Sequence, residues 1–185
     1  MDKSCLLKPS KRAVNWPEIK LMLFDCDGVL TDGRIIYGEG GQELKHFHGH
    51  DGMGFNLLRF SEVKVGIVTG RSSTALERRC KDLHIEHLYQ NIGNKLQCVD
   101  KLLAEQNLDY KNVVYMGDDW NDVPVMRKAA FSACPADGRA DIVKIADWIS
   151  PSRGGFGAVR DLIVYVLTRK GIYEKTVLQY LESIS

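Results

Sequence analysis

The sequence predicts an α/β fold: a Rossmann-like parallel sheet with helices on both faces and a β-hairpin inserted after the first strand. Three observations carry this. The runs IKLMLF (19–24), KVGIVT (64–69) and NVVYM (112–116) each hold an unbroken apolar core (LMLF, VGIV and VVYM), as strands buried on both faces require. Segments of helical period separate them, which is the pattern of βαβ units. One stretch, 34–48, breaks the alternation with two short extended pieces around Gly38-Glu39-Gly40-Gly41, a hairpin signal.

The remaining elements follow in order. After the hairpin, residues 51–61 read as a helix with Phe55, Leu57 and Leu58 apolar. Ser72 or Ser73 can cap the helix after the second strand, with Glu77 in its early turns and Leu76 and Leu83 on its buried side. HLYQ (87–90) is a short third strand. NKLQCVDKLLAEQ (94–106) places Leu96, Val99, Leu102 and Leu103 on one helical stripe. The fourth strand ends in Gly117-Asp118-Asp119, followed by a helix over 121–129, a strand at FSACP, a helix at 141–146 and a last strand at Trp148-Ile149. Gly154-Gly155-Phe156-Gly157 opens a helix carrying Val159, Leu162, Ile163, Val166 and Leu167. The tail repeats helical spacing at Val177, Leu178 and Leu181.

These 185 residues divide into a lead-in at 1–17, one domain at 18–170 and a helical tail at 171–185, with Trp16 of the lead-in docked on the body. A net charge of +1 argues against nucleic acid or an anionic membrane as partner. No apolar stretch approaches the roughly 20 residues that span a bilayer. The first sixteen residues lack the apolar core of a secretory signal. Cys5, Cys26, Cys80, Cys98 and Cys134 are odd in number and show no CxxC spacing, so reduced thiols and a cytoplasmic location are expected. Cys26 lies between two aspartates, which disfavours a nucleophilic thiolate.

Chemistry concentrates where the strands end. Asp25 and Asp27 follow the first strand and Thr69-Gly70-Arg71 the second. Lys95 begins the helix after the third, and Asp118, Asp119 and Asp122 follow the fourth. In a parallel sheet these ends share one edge and can converge. Carboxylates hold Mg²⁺ through oxygen. Asp25 can attack phosphorus in line while Lys95 and a threonine hydroxyl bind phosphate oxygens. Asp27 can protonate the leaving alkoxide and then activate water. Each residue also has a plainer reading: Thr69, Asp118 and Asp119 as helix caps, Lys95 as a solvated charge. Those readings require four unrelated coincidences; one site requires none.

The combination D-x-D-G-V-L-T-D, T-G-R, a lone lysine and G-D-D-x-x-D resembles the haloacid dehalogenase superfamily of phosphatases over residues 19 to about 168. Within it, TDGRIIYGEGGQELKHFH, DGMG, TGRSSTALERR, LYQ with NKL, MGDDWNDVPVM and GGFGAVRDL are similar to the capless phosphatases of 3-deoxy-D-manno-octulosonate 8-phosphate. The resemblance implies Asp25 as nucleophile and Asp27 as acid/base. It implies Mg²⁺ on Asp25, the main-chain carbonyl of Asp27, and Asp118. Thr69, Gly70 and Lys95 would bind phosphate, with Asp119 and Asp122 in support. His48, His50, Asp51, Gly52, Arg71 and Arg79 would face a sugar-acid phosphate, and the hairpins of a homotetramer would form a shared barrel.

The family pattern has an arginine where this chain has His50, and its counterpart of Asn56 is often basic. A nine-carbon ulosonate 9-phosphate is therefore the alternative substrate, and a catalytically silent regulatory or assembly subunit the alternative outside enzymology. His46, His48 and His50 alternate, so in a strand they would share one face; a zinc site there lacks a fourth ligand. The Gly154–Gly157 segment reads as a lid or as a plain turn before a helix, and it lacks the lysine of a P-loop.

Overall fold

The computed structural model describes residues 13–185. Cys5 and most of the lead-in at 1–17 lie outside the described residues.

Six parallel strands form one sheet, ordered β5-β4-β1-β6-β7-β8. They are β1 (Leu21–Phe24), β4 (Lys64–Val68), β5 (His87–Tyr89), β6 (Val113–Met116), β7 (Phe131–Cys134) and β8 (Trp148–Ile149). β1 lies inside the sheet between β4 and β6, in register Phe24 with Ile67 and with Met116. This explains its uninterrupted apolar run: all four residues are fully buried. Successive side chains point to opposite faces. Met22 and Phe24 join Phe55, Leu76, Leu162 and Ile163 on one side, and Leu21 and Leu23 join Val99, Leu102, Val125 and Ile142 on the other.

The helices that supply these layers are α1 (Gly49–Leu58), α2 (Thr74–Asp82), α3 (Lys95–Glu105), α4 (Val123–Lys128), α5 (Ala140–Val143), α6 (Ala158–Arg169) and α7 (Tyr173–Ser183). α1 and α6 pack closely, and α7 lies against both. Trp16 docks as expected, edge-on to Phe131 and Tyr165. No helix among the described residues is long and apolar enough to cross a membrane.

The hairpin is shorter than 34–48. Only β2 (Ile36–Tyr37) and β3 (Glu43–Leu44) pair, antiparallel, with Ile36 opposite Leu44. The chain then turns into α1, which begins at Gly49 and not at residue 51, with His48 at its N-cap. His50 is therefore helical and exposed, and the three histidines do not line one strand face. The early start has two causes, one local and one long-range. Asp51 sits in the first turn, where a carboxylate suits the helix dipole, and its Oδ1 accepts the Arg160 N–H of α6 at 2.8 Å.

The caps differ from the sequence reading. Asn94 caps α3, its Oδ1 accepting the Gln97 N–H at 3.0 Å, which fixes Lys95 as the first helical residue. Ser73 occupies the N-cap of α2 without making a capping bond. The Gly154–Gly157 segment packs against the loop after β1. Gly155 N–H donates to Val29 O at 3.0 Å, and a Cβ on Gly154 would lie 1.9 Å from Gly28 O. Only glycine permits this approach, which clamps the loop after β1 from behind.

Candidate active site

Asp25 continues the β1 ladder for one residue, its N–H donating to Met116 O at 3.0 Å. Its carboxylate then lies at the sheet edge. Oδ1 accepts the Cys26 N–H at 2.7 Å and Lys95 Nζ at 2.9 Å. Lys95 is almost wholly buried and also reaches Asp122 Oδ1 at 2.7 Å. An ammonium buried this deeply is tolerable only when paired.

Asp122 is the anchor of the site. Its Oδ1 also accepts the Tyr115 hydroxyl at 2.6 Å, and its Oδ2 accepts the N–H groups of Asp118 at 3.0 Å and Asp119 at 3.2 Å. Hydrogen bonds to a charged group contribute about 1.5–3 kcal/mol each, so this set pins the turn after β6 firmly. Asp118 is thereby aimed at Asp25. Its carboxylate lies against the bare Cα of Gly28, which has φ +87°; a Cβ there would come within 2.1 Å of Asp118 Oδ2. The glycine of the D-x-D-G run thus makes room for the carboxylate delivered by β6.

Asp25, Asp118 and Asp122 bring carboxylate oxygens within 4.8 Å of one another. Lys95 is the ammonium bonded within this set, so negative charge is in excess. Burial, and then the charge of Asp122, push the Asp25 carboxyl up to about 7 and the Asp118 carboxyl up to about 8. Asp118 Oδ1 is buried without a hydrogen-bond partner. Both oxygens of Asp122 are committed, which leaves Asp25 and Asp118 as the groups able to ligate a cation. An all-oxygen donor set with surplus negative charge suits a hard divalent cation such as Mg²⁺.

These groups open onto a cleft of about 560 Å³ whose walls include Asp25, Asp27, Thr69, Gly70, Arg71 and Asp118. Thr69 is fixed by its N–H donating to Tyr89 O at 2.9 Å and its carbonyl accepting the Ile92 N–H at 3.0 Å. Asp119 lies on the rim, its Oδ1 accepting the Trp120 N–H at 2.7 Å. A second cleft, of about 530 Å³, lies by Lys20 and Lys170. Lys170 there donates to the carbonyls of Trp16, Pro17 and Ile19, so all three of its N–H groups are committed.

The residues expected to face the sugar separate into two places. Arg71 lines the cleft. The other five gather at the start of α1. Arg79 donates to His48 O at 3.3 Å and lies over Phe47. Gly52 packs against the Arg79 guanidinium. The rings of His48 and His50 meet edge-to-face at 4.9 Å, with Phe156 beyond. Asp51 joins α1 to α6.

The comparisons with known proteins agree with this geometry. A haloacid dehalogenase-like hydrolase family model matches residues 85–163. The 3-deoxy-D-manno-octulosonate 8-phosphate phosphatase KdsC of Escherichia coli K12 is 41% identical over 153 residues, which are 83% of this chain and 81% of that enzyme. The chain belongs to this phosphatase family. The KdsC of Yersinia pestis is 40% identical over 157 residues, 85% of this chain and 82% of its own. Among solved structures, the Moraxella catarrhalis 3-deoxy-D-manno-octulosonate 8-phosphate phosphatase superposes with a TM-score of 0.85 at 33% identity, covering 89% of this chain and 95% of that one. That crystal contains a magnesium ion, a phosphate ion and the sugar acid itself.

Three features of this KdsC-family site escape sequence reasoning. Trp120 and Asn121 form part of the cleft wall, although nothing in a G-D-D turn marks its next two residues as lining. Tyr115 reads as one more apolar strand residue, yet its hydroxyl holds Asp122. Lys45 reaches Asp27 from the hairpin, where charged residues ordinarily read as solvated, and is itself paired with Glu43.

Proposed function

We propose that this chain is a Mg²⁺-dependent phosphomonoesterase of the cytoplasm that hydrolyses 3-deoxy-D-manno-octulosonate 8-phosphate to the free sugar acid and phosphate. The observation that carries this reading is the placement of Asp25, in contact with Lys95, beside Asp118 and at the floor of a cleft walled by Thr69. Residues 18–170 are read as the catalytic unit.

Asp25 Oδ1 is occupied by Lys95 and the Cys26 N–H, so the second oxygen is left to attack phosphorus. The aspartyl phosphate forms as the alkoxide leaves, and Asp27 supplies its proton. Asp27 then takes a proton from the water that hydrolyses the intermediate. Thr69, the Gly70 backbone and Lys95 hold phosphate oxygens, and Lys95 offsets charge that spreads over them in the transition state. Mg²⁺, held by Asp25, the Asp27 carbonyl and Asp118, supplies the positive charge that lets two anions approach. Arg71 is the cation placed to meet the sugar carboxylate, since a guanidinium matches a carboxylate bidentately. His48, His50, Asp51, Gly52 and Arg79 shape the far end of the sugar site, and Asp119 and Asp122 hold the loop.

The test is phosphate release from eight- and nine-carbon ulosonate phosphates, with Mg²⁺ and with chelator. Mg²⁺-dependent release is expected, with kcat/KM at least about tenfold higher for the eight-carbon substrate. Preference for the nine-carbon ester would reassign the sugar, which His50 in place of an arginine makes the competing reading. No release from any ester would return the chain to a regulatory or assembly role.

We also read the assembly as a homotetramer joined through the hairpins. Ile35, Tyr37 and Leu44 are 49%, 68% and 44% exposed on a two-stranded sheet with open edges. Apolar side chains concentrated on an open edge favour pairing with another chain. Light scattering should give four chains, and Tyr37→Asp should shift the protein to smaller species. A wild-type monomer would remove this reading.

A further inference from the structure

We propose that Lys45 is a positioning residue for Asp27, and that Glu43 holds both Lys45 and Arg71 in place for it. The inference rests on the reading of Asp27 as acid/base. The Lys45 side chain is only 3% exposed, although it leaves a short surface hairpin. Burying an ammonium is costly unless it is paired, so the location calls for an explanation. Glu43 and Lys45 are two residues apart and point to the same side. Lys45 Nζ contacts Asp27 Oδ1 and lies 3.0 Å from Glu43 Oε1. Glu43 Oε2 accepts from Arg71 Nη2, and Arg71 Nε lies 3.9 Å from Asp27 Oδ2. Four charges of alternating sign close a ring with no net charge.

Little else restrains Asp27. The Thr31 hydroxyl stands 3.5 Å from its Oδ1, at the limit of a hydrogen bond. Lys45 is thus the principal hold on this carboxyl, and it comes from the hairpin and not from the sheet. A group that delivers a proton must lie within hydrogen-bond reach of the leaving oxygen, and a displacement of about 1 Å can cost on the order of 100-fold. The ring also ties the sugar-side cation Arg71 to the acid/base, so that one element sets both.

Leaving-group dependence separates positioning from mere structural support. A nitrophenolate departs without a proton, whereas a sugar alkoxide does not. We would compare kcat/KM for 3-deoxy-D-manno-octulosonate 8-phosphate and para-nitrophenyl phosphate in wild type, Lys45→Met, Glu43→Gln and Asp27→Asn. Lys45→Met and Asp27→Asn should lower the sugar-phosphate value by about 100-fold and the nitrophenyl value by less than about threefold. Glu43→Gln should show the same split at a smaller size, and it reads the ratio should Lys45→Met fail to fold. Equal losses on both esters, or no loss, in Lys45→Met and Glu43→Gln would overturn the proposal. Were Asp27→Asn itself to lose both equally, the acid/base reading would fail; a split in Asp27→Asn alone would refute only the role of Lys45.

Discussion

Asp25→Asn should abolish turnover, with kcat falling by about 10⁴-fold or more, the scale seen when a covalent nucleophile is removed. The substitution is isosteric, and the amide oxygen can still accept from Lys95 and the Cys26 N–H, which both bond Oδ1 in the wild type. The fold should therefore survive. The metal-free variant should melt no lower than wild type near neutral pH, because a carboxyl whose burial raises it to about 7 is a cost to the folded state once ionised. Loss of activity with a retained melting transition separates chemistry from folding. Turnover within about tenfold of wild type would show that the attacking group lies elsewhere.

Removing the metal should make stability fall as pH rises. Asp25 and Asp118 are pushed from 3.8 up to about 7 and about 8, first by burial and then by Asp122. A carboxyl raised in the folded state holds its proton there after the unfolded chain has released it. The folded state then binds more protons, and stability declines with pH across the window from the unfolded value to the folded one. Metal-free protein should thus melt higher at about pH 5.5 than at about pH 8.5. Mg²⁺ binds the ionised carboxylates, so its stabilising increment should grow over the same range. Glu43 is held below its ordinary 4.5 by Arg71, so its own contribution is lost only at lower pH and does not obscure the effect. Asp118→Asn should flatten both trends. A metal-free melting temperature that rises with pH, with a Mg²⁺ increment equal at both values, would contradict this electrostatic picture.

The sequence made the sheet and the catalytic edge legible for the same reason. Strands buried on both faces are uniformly apolar, so a carboxylate just beyond one is conspicuous, as Asp25 is after Phe24 and Asp118 after Met116-Gly117. Lys95 was legible because it opens the helical pattern after the third strand, whereas the Asn94 cap that fixes it there was not anticipated. The sugar side was harder. His50 looked like a strand residue because alternation and the first turn of a helix cannot be told apart over three positions, and the bond from Asp51 to Arg160 that favours the helix spans 109 residues. Lys45 was invisible for a related reason: its burial comes from Asp27 and Glu43 converging across the loop after β1, which no local pattern encodes.

The central claim is that the carboxylate at the end of β1 carries the phosphoryl group. Asp27→Asn should let that intermediate accumulate, since it removes the base that activates water. Acid quenching this variant after mixing with Mg²⁺ and para-nitrophenyl phosphate, whose leaving group needs no proton, followed by peptide mapping, should place covalent phosphate on Asp25. Phosphate on another residue, or full turnover in Asp25→Asn with no phosphorylated peptide, would contradict the account.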